Sequence, residues 1–296
     1  MATIISPAAL RGTRRPVRRL VSRRTAARLL THVLLLGGGF LWMYPFLWAL
    51  GSSLKSTDGF FNEGLSFIPH EFEWSNYLNA WNEASFGRYF VNTVFTAALT
   101  VLFTLLFTGM AGYVLARTRF PGKTLVLGLI GITLFLPHGY TIIPIFDVVQ
   151  HLGLLNTLWS IIVVLTAGNM VFNTFLFMGY FSTMSREIEE AARIDGAGFN
   201  GLFWRVMFPL AGPMIATVTL FTFISSWNNF FIPLVFTLGR PELRTLAVGM
   251  YAFVGENSTN WTYLCAGSII ALAPIMLVFL FLQRFFIEGI AGAVKA

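Results

Sequence analysis

Six apolar stretches of this 296-residue chain limit what it can become: Leu29–Leu50, Tyr89–Ala116, Thr124–Gln150, Leu158–Phe181, Gly212–Leu238 and Leu264–Gln283. Each is long enough to cross a hydrocarbon core, which takes roughly 20 residues of α-helix. Asp147, near the end of the third, is the one Asp, Glu, Lys or Arg within them. No water reaches a backbone group inside a bilayer, so such runs must satisfy their own hydrogen bonds as helices. The chain is 11% charged with mean hydropathy +0.71, whereas soluble domains carry about 25% charged residues. The expected fold is all-α, a polytopic membrane protein with six transmembrane helices.

The net charge of +7 is unevenly placed. Residues 1–28 hold Arg11, Arg14, Arg15, Arg18, Arg19, Arg23, Arg24 and Arg28 and no acid, leaving twelve basic against thirteen acidic residues for the rest. The basic character belongs to an arm, so it points to anionic lipid and topology rather than nucleic acid. With the N-terminus inside, the internal segments carry 16 of the 20 Lys and Arg residues, which puts both termini in the cytoplasm. Ser22-Arg23-Arg24 is similar to a twin-arginine export signal, but Ala26-Ala27 follow where apolar Phe-Leu belong, and the next apolar run exceeds a signal-peptide core. The chain is divided accordingly into a basic arm (1–28), a first span with an external loop (29–88), a core (89–284) containing the polar connection 185–209, and a cytoplasmic tail (285–296).

That polar connection between spans four and five carries the most local information. Ser185 can cap a short helix whose first turns hold Glu187, Glu189 and Glu190, where carboxylates favour the helix dipole. Ile188, Ala191 and Ala192 fall on one face, and Asp195-Gly196 ends the helix because glycine takes a left-handed turn at low cost. A second short helix, Phe199 to Met207, places Leu202, Phe203, Val206 and Met207 on one stripe and is expected to stop before Pro209. Two short helices joined by a tight turn form a knob able to pass a push from a soluble partner into the membrane.

Glu190-Ala191-Ala192, Asp195-Gly196-Ala197 and Val206-x-Phe208-Pro209 resemble the EAA loop of ABC importer permeases, E-A-A-x3-G-x9-I-x-L-P, with Val206 and Phe208 standing for the usual Ile and Leu. Trp227-Asn228 in the fifth span and a C-terminus reading Gly289-Ile290-Ala291-Gly292-Ala293-Val294-Lys295-Ala296 narrow the likeness. Together they resemble the maltose-type carbohydrate importers, and among these the shorter, MalG-like permease. The likeness runs from about Leu29 to the end. It implies a type I ABC importer permease fold in a bacterial inner membrane. It also implies a second, MalF-like permease, an extracytoplasmic sugar-binding protein and an ABC ATPase homodimer that uses ATP and Mg2+. Glu190, Ala191, Ala192, Asp195, Gly196, Ala197 and Pro209 would couple to that ATPase, with Glu190 pairing to one of its basic residues. The external loop with Glu256, Asn257, Asn260 and Trp261 would reach into the receptor's cleft. The tail would touch the ATPase dimer, although Ala296 replaces the usual final Gly.

No cofactor or metal site belongs to the chain on this reading. Gly122-Lys123-Thr124 imitates the end of a P-loop, but Arg117 occupies the position that needs glycine. A lone Cys265, four scattered His and no paired carboxylates make a poor catalytic inventory, so the chain is not an enzyme. Asn169 and Asn173 in span four and Ser225, Ser226, Asn228 and Asn229 in span five should face the bundle interior. Asn169, Asn173, Ser225, Asn228 and Asn229 either line a sugar path or hydrogen-bond between helices. His138 and Tyr140 join them in span three. Pro137, Pro144, Pro233 and Pro274 would bend their helices, as hinges or as static packing. Tyr77, Leu78, Trp81 and Ala84 share a helical face in the external loop, for a receptor or for interfacial anchoring. The competing function is a self-sufficient, ion-coupled transporter. It would want ionisable groups at mid-membrane, and Asp147 lies near a span end.

Overall fold

A computed structural model describes residues 23–83, 85–135, 141–254 and 259–294. The chain parts into two units between Leu47 and Trp48. The described backbone is helical, with a single bridged pair, Val254 and Thr259.

The first unit is one helix. Residues 23–47 belong to α1 (Arg23–Ser52), and Leu29, Leu36 and Trp42 are exposed along it. A helix apolar on all sides is stable only where its surroundings are apolar too.

In the second unit a polar knot comes first, formed by α2 (Thr57–Asn62) and α3 (Ser75–Glu83). Lys55 is buried; its Nζ donates to the Ser66 carbonyl at 2.7 Å and meets Glu63 Oε2 at 3.3 Å. Asn76 Nδ2 donates to the carbonyls of Ser53 and Lys55, at 3.0 and 2.8 Å. Asn76 and Ala80 are the buried residues of α3; of the Tyr77–Leu78–Trp81 stripe, Leu78 is exposed, Tyr77 packs beside the core with its hydroxyl 2.7 Å from Ser53 Oγ, and Trp81 lies against Phe86 and Phe90. Asn76 is buried because it satisfies two backbone carbonyls that have no helical partner. Ala84 lies outside the described residues.

Burial by itself would raise the Glu63 carboxyl, but hydrogen bonds from His70 and the Lys55 ammonium outweigh it and hold the group below its ordinary 4.5. A depressed folded value means that the clamp contributes fully above the ordinary value and is lost as pH falls through the lowered one. Trp48, whose Nε1 donates to the Gly64 carbonyl at 3.2 Å, reports on the knot. In a variant keeping Trp48 as its sole tryptophan, emission is expected to stay constant down to about the unperturbed glutamate value and shift below it. Glu63→Gln should show the shifted emission already at neutral pH; a wild-type transition at or above the ordinary value would contradict the clamp.

The scaffold is the pair α4 (Phe86–Arg117) and α7 (Leu158–Thr183), which pack along much of their lengths. Asn92, Thr96, Thr100, Thr104, Thr108 and Gly112 recur every fourth residue of α4 and are all buried. Small residues at this spacing let helix backbones approach closely where lipid provides no hydrophobic drive. Between these helices run α5 (Lys123–Thr133) and α6 (Ile142–His151), so the expected third span is divided into two apolar helices of 11 and 10 residues. Pro144 falls in the first turn of α6, where its missing N–H is unneeded. It begins a helix rather than bending one. Pro137, His138 and Tyr140 lie outside the described residues.

After α7 come α8 (Arg186–Ile194), α9 (Phe199–Leu202), α10 (Phe208–Leu210) and α11 (Gly212–Trp227). The expected fifth span also divides: α11 ends at Trp227 and α12 (Phe231–Phe236) follows. Pro233 offers no N–H and its ring would crowd the Asn229 carbonyl four residues back. Asn229 leaves the helix, and its Oδ1 accepts the Ile232 N–H at 3.0 Å instead. Then come α13 (Leu246–Gly249) and α14 (Trp261–Val294), which contains Pro274 and runs on through most of the expected tail. Among the described residues four helices are long and apolar enough to span a membrane, or five if the pair Phe199–Leu210 and Gly212–Trp227, bent by 76°, counts as one span. Among the described residues, the third and fifth of the six expected segments are not single long helices.

Candidate functional site

The connection 185–209 folds as the expected knob, with two changes. Ser185 caps α8 by accepting the Glu187 N–H at 3.2 Å. The end of α8 is a Schellman turn: Gly196, at φ 85°, donates to the Arg193 carbonyl at 3.0 Å and Ala197 to the Ala192 carbonyl at 2.9 Å. The second helix does not stop before Pro209. Phe203–Met207 forms a π-helical turn, the Phe208 N–H reaching back to the Phe203 carbonyl, and α10 carries the chain through Pro209 to Leu210. A π turn relaxes the four-residue spacing at which a proline ring collides with a carbonyl, so Pro209 is accommodated.

The inner face of the knob is aromatic. Tyr113 of α4 packs edge-on to Phe181 of α7 at 5.5 Å and lies 5.3 Å from Phe203 and 5.7 Å from Phe199. Leu202, Phe203 and Met207 are buried with them, as the stripe required. Gly109 completes the seat, because a Cβ there would come within 2.8 Å of the Phe208 ring.

The face of α8 differs from expectation. Ile188 and Ala191 are exposed, Ala192 is half-buried, and the residue that turns inward is Glu189. Its Oε1 lies 3.0 Å from Arg117 Nε, both side chains being more than nine-tenths buried, and Arg193 Nη2 stands 3.9 Å from its other oxygen. Arg117 Nη2 also donates to the Met184 carbonyl at 2.6 Å, just before α8. One guanidinium at the last turn of α4 thus pins both the entry to the knob and its first helix. Sequence reasoning counted Arg117 toward topology and Glu189 toward the helix dipole; nothing in the spacing pairs residues 72 positions apart.

What stays open is a crest. Glu190, Ala191, Asp195 and Gly196 are exposed beside Ile194 (86% exposed), Phe199 and Trp204, while Ala197 is half-buried and Pro209 is exposed. Exposed apolar side chains rimmed by charge mark a docking surface.

The intramembrane polar groups scatter. Asn169 Nδ2 donates to the Leu165 carbonyl and Asn173 Nδ2 to the Asn169 carbonyl, both at 2.8 Å within α7. Asn173 is buried 3.5 Å from Thr222 of α11, and its own carbonyl oxygen has no partner among the described residues. Ser225 and Asn228 are exposed, and the Asn229 Oδ1 is occupied by the Ile232 N–H in the first turn of α12. In the loop before α14, Asn260 caps that helix, its Oδ1 accepting from Tyr263 N at 3.2 Å and from Thr262 Oγ1 at 3.1 Å. Trp261 remains 44% exposed, its ring parallel to that of Phe60 at 6.0 Å. Glu256 and Asn257 lie outside the described residues, as do Lys295 and Ala296 of the tail.

Comparison with known proteins fits this construction. Residues 108–292, which hold the knob and its seat, match the family model described as "Binding-protein-dependent transport system inner membrane component". The chain is 36% identical over 253 residues to the probable ABC transporter permease protein YurM of Bacillus subtilis, covering 85% of this chain and 83% of that protein. It is 34% identical over 275 residues to the diacetylchitobiose uptake system permease protein NgcG of Streptomyces coelicolor, covering 92% and 88%. Among solved structures, a chain of a bacterial ABC transporter involved in the import of the acidic polysaccharide alginate superimposes with a TM-score of 0.77 at 26% identity, over 90% of this chain and 98% of that one. The match covers more than half of the chain, and the chain belongs to the binding-protein-dependent transport system inner membrane components.

Proposed function

We propose that this permease forms one half of a pore for a sugar or oligosaccharide, and that the crest of the 185–209 knob is gripped by a separate ATPase. The observation that carries the coupling reading is the contrast within one short segment: Glu189 is locked to Arg117, while Glu190, Ile194 and Phe199 beside it are left open. A tethered projection with an exposed apolar crest transmits force from a partner instead of packing on its own chain. ATP binding would close two ATPase subunits, draw this knob toward that of a second permease, and turn the pore outward toward a sugar-loaded receptor. The bias of basic residues supports six crossings, with the divided third and fifth segments each counting as one, and with the knob and both termini in the cytoplasm. Support for a carbohydrate comes from relatives whose solutes are a chitin disaccharide and alginate. The ion-coupled alternative is set aside by membership of the family.

Glu190→Lys and Gly196→Asp test this reading. Each should abolish uptake into membrane vesicles and loosen the ATPase on purification, with normal amounts of permease in the membrane. Gly196 has no neighbour within 4 Å of an added Cβ, so a lost response reflects the crest and its left-handed turn rather than a clash. Normal uptake by both variants would end the assignment.

A further inference from the structure

We propose that a cavity at the end of α4 remote from the knob receives one ring of the arriving sugar, as a second point of recognition on this permease. The inference rests on the carbohydrate reading above. The cavity encloses about 450 Å³ and is lined by Glu83, Ser85, Tyr89, Phe230, Arg244 and Tyr251, among others, a volume within the roughly 300–1,000 Å³ usual for small-molecule sites. Its place is informative. Ser85 and Tyr89 stand at the start of α4 and Arg117 at its end, a helix of 32 residues that spans about 48 Å at 1.5 Å per residue. The knob and the cavity therefore lie at opposite membrane faces, and the cavity is where a solute released by an external receptor arrives.

The lining has the chemistry of a sugar site. Tyr89, Phe230 and Tyr251 present aromatic faces, amphipathic surfaces suited to the C–H side of a pyranose. The Phe230 and Tyr251 rings are 5.4 Å apart at 33°. The Arg244 guanidinium and the Glu83 carboxylate make no hydrogen bond or ion pair with any described residue, so their donors and acceptors are available to hydroxyls. One acid and one base together favour a neutral polyol over an anion. The walls are also preset. Tyr89 rests against Gly249, where an added Cβ would be 2.3 Å from the ring, so only glycine lets the tyrosine lie there. Asn92 Nδ2 donates to the carbonyls of Glu242 and Arg244, at 2.9 and 3.0 Å, and Thr93 Oγ1 accepts the Leu246 N–H at 2.7 Å, riveting the segment that bears Arg244 to α4. Ser85 holds φ 50°, a conformation costly for a residue with a side chain and found preferentially at ligand sites.

The test uses the full complex in proteoliposomes, with diacetylchitobiose, melibiose and alginate oligosaccharides as probes, each presented on its loaded receptor. For whichever is transported, Tyr89→Ala and Arg244→Gln should each raise the half-saturating concentration of loaded receptor about tenfold, while leaving ATPase association and the capture of sugar-free receptor unchanged. Tyr89→Phe should behave as wild type. Unchanged half-saturation in both variants overturns the site and leaves the sugar reading standing. Weakened capture of sugar-free receptor overturns it in favour of a receptor side chain in the cavity, and loss of the second permease on purification overturns it in favour of a subunit contact. Absence of uptake of every probe by the wild-type complex overturns the sugar reading beneath it.

Discussion

Gly112→Leu is expected to remove the protein from the membrane. A Cβ at position 112 would stand 2.5 Å from Phe177 Cβ and 2.9 Å from the Met178 backbone nitrogen. Those atoms belong to the α7 main chain or are fixed to it, so no side chain can swing aside. The two helices, which pack along much of their lengths, would have to separate. Packing is the main drive for association between helices in lipid, so its loss is not compensated elsewhere. Even Gly112→Ala overpacks the crossing, at a cost of about 1–3 kcal/mol. Thr100→Val is the control. The Thr100 hydroxyl is buried without a hydrogen-bond partner among the described residues, and exchanging it for a methyl of the same shape should be nearly neutral or stabilising. Immunoblots of the membrane fraction should show Gly112→Leu at background and Thr100→Val at the wild-type level. Normal accumulation of Gly112→Leu would mean that α4 and α7 do not approach as described.

Glu189→Leu should leave the permease in the membrane and silence it. The substitution strands the Arg117 guanidinium in a site where its side chain is only 6% exposed, and breaking a buried pair from one side costs about 3–5 kcal/mol. The loss falls on the knob, since the same guanidinium also holds the Met184 carbonyl. Uptake should drop to background, and trypsin should cut at Arg186 and Arg193 faster than in the wild type. Replacing both partners with apolar residues, Arg117→Met with Glu189→Leu, removes the stranded charge and should restore much of the transport, because a well-packed apolar substitute for a buried pair is often neutral. Wild-type uptake by Glu189→Leu alone would show that the tether carries no force. The neighbouring Glu190→Lys separates the two functions, because it alters the crest without touching the tether.

Membrane class, helical fold and the position of the knob were legible from the residues because each rests on local physics. Apolar run length, the Ser185 cap, the Gly196 turn and the Leu202–Met207 stripe are decided within a few residues of themselves. The lengths of the third and fifth segments were not. A proline divides the fifth only because the neighbouring Asn229 can take over a freed N–H, and run length carries no trace of that exchange. Ser225 and Asn229, four residues apart, share a face only in a continuous helix. Once the helix breaks at Asn228, Ser225 and Asn229 no longer share a face.

What the sequence by itself determined is therefore everything set by solvent and by near neighbours along the chain: a bilayer protein, helical throughout, with a polar two-helix projection between its fourth and fifth apolar segments. What only the tertiary structure decided is which polar residues are held and which are free: Glu189 locked to Arg117 and Glu190 open, Asn92 riveting a distant segment while Arg244 and Glu83 face a cavity. The reason is physical. Satisfying a buried charge or amide depends on a partner brought near by helix packing, as Arg117 is brought to Glu189, and that proximity is a property of the fold.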